Sequence, residues 1–104
     1  MKILAAICAL TFVGASHAEQ TGNALHGWLS NSQSDVVGVA YTTGVLDSEG
    51  WVAKGLPYCP PAGVVNSQAI DIVKRYLADR PEERHKPAPL LIYTALSKAF
   101  PCKN

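Results

Sequence analysis

The apolar residues of this chain come in one continuous run and then in four interrupted stretches with helical spacing. The continuous run is Ile3 to Gly14. In Thr21 to Ser32, Ala24, Leu25, Trp28 and Leu29 recur at i, i+1, i+4 and i+5, one face of a helix. Gly22 and Gly27 weaken that pattern. Asn31-Ser32-Gln33-Ser34 is a polar break, in which Ser32 or Ser34 can cap the next helix. From Asp35 to Asp47, the residues Val36, Val37, Ala40, Tyr41, Gly44 and Val45 repeat at three and four. They predict a second helix with that face buried. Asp35 sits in its first turn, where the helix dipole favours a negative charge. The β-branched content of this stretch would also suit a strand. The spacing, with Gly38 and Gly44 as close-packing points, favours a helix.

Glu49 to Gly63 carries Gly50, Gly55, Pro57, Pro60, Pro61 and Gly63, and reads as a loop that is long for a compact domain. Trp51 and Tyr58 either fold back onto the core or, with Lys54, belong to a partner-binding surface. Asn66 to Asp79 predicts a third helix, capped by Asn66 or Ser67. Its apolar face is Ala69, Ile70, Val73, Tyr76 and Leu77, with Ile72 at the margin. Asp71, Lys74, Arg75 and Ala78 look outward, and Asp71 and Arg75 are spaced for an i, i+4 pair. Pro81 biases Arg80 away from helical geometry, so the helix stops there. Arg80 to Lys86 is a charged hinge. Pro87 and Pro89 suit the first turn of a fourth helix, where a missing N–H costs nothing. Ala88, Leu91, Ile92, Ala95, Leu96 and Ala99 are its buried face. Lys98 complements its C-terminal dipole, and Pro101 ends it. The expected fold is all-α: a small four-helix bundle whose second hairpin runs from Cys59 to Cys102.

The continuous run changes this picture. Lys2 followed by Ile3 to Gly14 and then Ser16-His17-Ala18 reads as a secretory signal with a small-x-small cleavage site. The run falls short of the ~20 residues that span a bilayer, although a retained anchor is the alternative. Residues 1–18 are then the signal and residues 19–104 one exported domain. Of the three cysteines, Cys8 leaves with the signal. Cys59 and Cys102 remain as one pair, in a compartment where disulfides persist. The chain holds nine Lys and Arg against eight Asp and Glu, and losing Lys2 balances them. A near-neutral chain with no basic cluster larger than Lys74-Arg75 argues against nucleic acid and against an anionic membrane surface. Candidate chemistry is thin. Catalysis by a nucleophile needs a partner base; after cleavage only His26 and His85 remain as bases, and Cys59 and Cys102 are expected to be bonded to each other rather than nucleophilic. Glu82, Glu83 and His85 sit too close together on a hinge to make a good metal cage. No catalytic residue, cofactor or metal is expected.

One ordered series of residues resembles a known family. It comprises Pro60-Pro61-Ala62-Gly63-Val64, Gln68, Tyr76-Leu77, Arg80-Pro81-Glu82-Glu83-Arg84-His85 and Ala99-Phe100-Pro101-Cys102, with an echo in Ala40-Tyr41-x-x-Gly44-Val45. The series is similar to that of the Rap1a/Tai immunity proteins, which protect bacteria against type VI secretion amidase effectors. The resemblance implies a mostly helical periplasmic inhibitor, often dimeric, that is not an enzyme and occludes an amidase cleft with a loop. Two loops can serve: Glu49 to Tyr58 with Trp51, Lys54 and Tyr58, or the hinge with Arg80, Glu82, Glu83, Arg84 and His85. Three departures stand out. Val65 replaces a capping threonine, so that Asn66 or Ser67 must cap. Arg80 replaces a hinge histidine. A second cysteine pair of the family would fall near Leu29 and Gly38, and neither is cysteine here. That loss leaves open a periplasmic interaction module, a chaperone or envelope regulator, with no toxin partner.

Overall fold

Four α-helices carry the described residues: α1 Gly22–Leu29, α2 Asp35–Val52, α3 Asn66–Asp79 and α4 Ala88–Ala99, with a 3-10 turn at Pro81–Glu83. The structure is a computed structural model that describes residues 19–52 and 58–103, residues 49–52 by backbone alone. The predicted leader and Lys54 lie outside the described residues. Among the described residues there is no strand, and the single β-type contact is an isolated antiparallel bridge between Thr21 and Pro87. The all-α bundle expected from the spacing is what forms. α1 and α2 make one hairpin and α3 and α4 the other. The core between them is built from Leu25 and Leu29, from Val73 and Leu77, and from Leu91, Ile92 and Leu96.

α1 is shorter than its pattern. Thr21 takes the extended cap conformation and its hydroxyl accepts the Ala24 N–H at 3.3 Å, while the helix ends at Leu29 with Ser30 as its C-cap. Ser34 does not cap α2 with its side chain. Its hydroxyl donates instead to the Trp28 carbonyl at 3.2 Å, tying the end of α1 to the turn.

α2 departs most from expectation. It runs on to Val52, through Glu49, Gly50 and Trp51, which the glycine and proline content had placed in a loop. It is also rotated. Val36 is 67% exposed, and Val37, Ala40 and Gly44 are exposed as well. Facing inward are Gly38, Tyr41, Thr42, Val45 and Leu46. The physical reason is that α2 is apolar on every side, so periodicity cannot say which side packs. Close approach decides. A Cβ on Gly38 would stand 2.6 Å from Leu29 Cδ2, so only glycine admits the Leu29 side chain. Nothing lies within 4 Å of the corresponding point on Gly44. Trp28 and Tyr41 seal the same contact, their ring centroids 5.9 Å apart.

α3 has the predicted limits, but neither Asn66 nor Ser67 caps it. Val65 occupies the cap position with extended backbone, φ −103° and ψ 160°. The Gln68 side chain reaches back to accept the Val65 N–H at 3.0 Å. This is half of a capping box, because valine has no oxygen to offer the Gln68 N–H. Val65 is 56% exposed, so its side chain contributes little burial. Val65→Thr is expected to complete the box and raise the unfolding free energy by about 1 kcal/mol, read from a urea titration. Just upstream the chain turns at Gly63, whose φ of 94° suits glycine.

α4 buries Ala88, Leu91, Ile92, Ala95 and Leu96, whereas Ala99, expected inside, is exposed. The Asp71–Arg75 pair does not form; the one ion pair among the described residues is Lys86–Glu83 at 3.1 Å. Cys59 and Cys102 are joined, with their Cα atoms 4.9 Å apart, and the Cys59 N–H donates to the Phe100 carbonyl at 2.8 Å. The clasp closes the open end of the second hairpin.

Candidate functional site

The hinge between α3 and α4 is a charged connector in sequence and a braced one in space. α3 ends with carbonyls that have no partner inside the helix. Arg84 folds back to supply one, donating from Nε to the Leu77 carbonyl at 2.6 Å and from its guanidinium to the Ala78 carbonyl at 3.1 Å. The start of α1 has the opposite need. Its Gly22 and Asn23 N–H groups donate to the Lys86 and Arg84 carbonyls at 2.9 and 2.7 Å, and the Ala88 N–H returns a bond to Gln20 at 2.7 Å. Each helix end thus finds its missing partner in the hinge.

Tyr76 sits at the centre of the side-chain network. Its ring is buried on the face of α3 that meets α4, and its hydroxyl donates to the Glu83 carboxylate. Glu83 also pairs with Lys86. Burial, then the bond to anionic Glu83, pushes the Tyr76 hydroxyl up to about 12. The same hydroxyl, then Lys86, holds the Glu83 carboxyl below its usual range. The Arg80 guanidinium carbon lies 4.9 Å from the Tyr76 ring centroid and Lys98 Nζ lies 5.4 Å from it. On α1, burial, then the nearby charge of Arg84, lowers the half-buried His26 from its ordinary value.

The signs of these shifts fix a pH profile. Glu83 is depressed in the folded state, so its contribution is present above the ordinary carboxylate range and is lost as pH falls through its folded value. Tyr76 is raised, so its contribution is present below pH ~10 and is lost between about 10 and 12. Tyr76→Phe is therefore expected to cost about 1–2 kcal/mol at neutral pH. It should also remove part of the alkaline fall in a series of denaturant melts from pH 8 to 12.

Beside this network, α3 and α4 leave an open groove of about 560 Å³. Tyr76, Ile72 and Ala95 line it together with Arg75, Arg80 and Lys98, and Asp79 and Glu82 also border it. Among the described residues no group of three or more His, Cys, Asp or Glu gathers as metal ligands would.

The residues expected from sequence fall into distinct places. Glu83 and Arg84 are bonded inside the hinge, and Arg80 leans on Tyr76. Glu82 and His85 are exposed on it. Tyr58 is half-buried and packs against the core, far in sequence from the hinge and at the disulfide end. Trp51 lies in the last turn of α2 rather than in a loop. Sequence reasoning missed the groove and, with it, Arg75, Tyr76 and Lys98 as a set. The signal was there: 72, 75, 76 and 79 on one helix and 95, 98 and 99 on the other are each spaced at three and four, one stripe per helix.

The family model of the Rap1a immunity proteins matches residues 4–102 of the chain. No curated protein matches it at a significant level.

Proposed function

Because the chain belongs to the Rap1a immunity protein family, we propose that it is a periplasmic immunity protein. In this reading it binds a type VI secretion effector, a peptidoglycan amidase, and blocks the enzyme's active-site cleft. The match over residues 4–102 carries the reading. The inhibitor works by shape and charge and performs no reaction. The leader, residues 1–18, directs export and is cleaved after Ala18. No helix among the described residues is long and apolar enough to cross a membrane.

The hinge is the element that enters the cleft. Inhibition by a loop is strongest when the loop is ordered before it binds, since ordering costs affinity. Arg84, Glu83 and the two backbone bonds that α1 donates to Arg84 and Lys86 supply that order. Glu82 and His85 are exposed on the ordered loop and are the residues offered to the enzyme. The exposed valines of α2, Val36, Val37 and Val39, make that helix the face on which a second copy would sit.

The test takes as its candidate any peptidoglycan amidase encoded beside this gene. The processed protein should co-purify with it and stop its cleavage of peptidoglycan. Glu82→Ala with His85→Ala should weaken inhibition at least tenfold while leaving the thermal melt unchanged. Failure of the unaltered protein to bind any neighbouring effector would overturn the reading.

A further inference from the structure

The groove between α3 and α4 has no role in the loop-in-cleft reading. Its floor is the Tyr76 ring with Ile72 and Ala95, and Arg75, Arg80 and Lys98 stand around it. Arg80 and Lys98 are drawn from different helix ends to the same ring, 4.9 and 5.4 Å from its centroid. Two cations held over one ring repel each other, and the ring's quadrupole offsets only part of this. None of the three has a carboxylate within ion-pair distance among the described residues, where the ion pair formed is Lys86–Glu83. Asp79 and Glu82 border the groove, and Glu83 feels Lys98 through space, yet none of them closes on a groove cation.

We propose that this groove is a docking surface for an acidic segment of a protein partner, with a carboxylate seated between Arg80 and Lys98 and a neighbouring apolar side chain against Ile72 and Ala95. Charge complementarity selects this occupant. A guanidinium already stacked on an aromatic ring presents a fixed fork to a carboxylate, so little side-chain freedom is lost on binding. The apolar floor and the volume of about 560 Å³ suit a peptide more than a lone ion. A basic or neutral segment would leave the two cations facing each other. Where the partner is the effector, this proposal rests on the immunity reading and adds a second contact beside the hinge. The groove's preference for an acidic peptide stands apart from that reading.

The experiment has two arms. In the first, the disulfide-bonded, isotope-labelled protein is titrated with N-acetyl-Asp-Leu-Asp-amide and, separately, with N-acetyl-Lys-Leu-Lys-amide. The acidic peptide should give saturable amide shifts at Tyr76, Arg80, Ala95 and Ala99 that vanish in 0.5 M salt, and the basic peptide none. Arg80→Gln with Lys98→Gln, which removes both cations that would hold the carboxylate, should weaken the acidic peptide at least tenfold, while the far-ultraviolet spectrum shows that the helices still form. Equal shifts from both peptides, or no shifts, would overturn the proposal. In the second arm, the same double variant is tested against any amidase encoded beside the gene that binds the wild type, and at least tenfold weaker binding is expected. An amidase that binds wild type and variant equally would overturn the effector contact and leave the immunity reading intact. Failure of every neighbouring amidase to bind the wild type would overturn the immunity reading, while the peptide arm still decides the groove.

Discussion

Replacing both Cys59 and Cys102 by serine is expected to lower the unfolding free energy by roughly 4 kcal/mol, from the loop-closure entropy that the bridge removes from the unfolded chain. The bridged residues are separated by 43 positions, so the closed loop takes in all of α3, the hinge and α4. Both cysteines are exposed. Serine there forfeits no buried apolar surface, and the loss falls on the unfolded state. For a domain of this size the total stability is about 5–15 kcal/mol, so the bridge supplies a large share. In thermal melts the same loss should appear as a fall of roughly 15–30 °C. A steeper urea dependence should accompany it, because an unbridged chain expands and exposes more surface on unfolding. Adding a reductant to the wild-type protein should reproduce both changes. A loss below 1 kcal/mol would show that helix packing alone holds the hairpin, and the bridge would then be incidental to the fold.

How much of this molecule was legible beforehand follows from where its patterns are one-sided. α3 has a clear apolar stripe and charged flanks, and its limits, its face and its neighbour were all readable. The disulfide followed from an expected export signal and a cysteine count. α2 was legible as a helix but not in its orientation or its end. It is apolar all round, and the choice of inner face depends on a contact with α1 that no local pattern contains. That contact is instructive. Leu29 and Gly38, near which the resemblance would place a second cysteine pair, meet in the structure, with the Leu29 side chain filling the space that a side chain on Gly38 would need. A packed leucine, not a covalent link, joins the two helices here. The hinge was legible as charged, but charge alone could not separate Glu83 and Arg84, which are spent on the fold, from Glu82 and His85, which are exposed. That separation requires knowing that Tyr76 and the end of α3 come within reach. The groove was invisible because it belongs to two helices, and each of its stripes looked like an ordinary helix margin.

The two glycines of α1 should respond to alanine with opposite signs. Gly22 is buried where the helix starts against the hinge. A Cβ there would lie 2.2 Å from Leu91 Cδ1 and 2.9 Å from the Arg84 carbonyl oxygen. Leu91 is itself 1% exposed and cannot swing aside without displacing the core, and the carbonyl is backbone. Relief must come from lifting α1 off the hinge. That movement would strain the bonds from Gly22 to Lys86, from Asn23 to Arg84 and from Ala88 to Gln20. Overpacking costs about 1–3 kcal/mol, and each weakened hydrogen bond about 1 kcal/mol more. Against this stands a helix-propensity gain of at most about 1 kcal/mol for glycine to alanine. The expected result is a net loss of about 2 kcal/mol for Gly22→Ala and about 4 kcal/mol for Gly22→Val. Gly27 lies one and a half turns on, exposed, with nothing within 4 Å of its Cβ position. The propensity term is all that remains there, and Gly27→Ala should stabilise by about 0.5–1 kcal/mol. Hydrogen exchange distinguishes docking from helix formation. In Gly22→Ala the amides of Gly22, Asn23 and Ala88 should lose protection, while in Gly27→Ala they should keep it. If Gly22→Ala stabilised the protein as Gly27→Ala does, α1 would not be seated on the hinge, and the bracing that orders Glu82 and His85 would lose its main support.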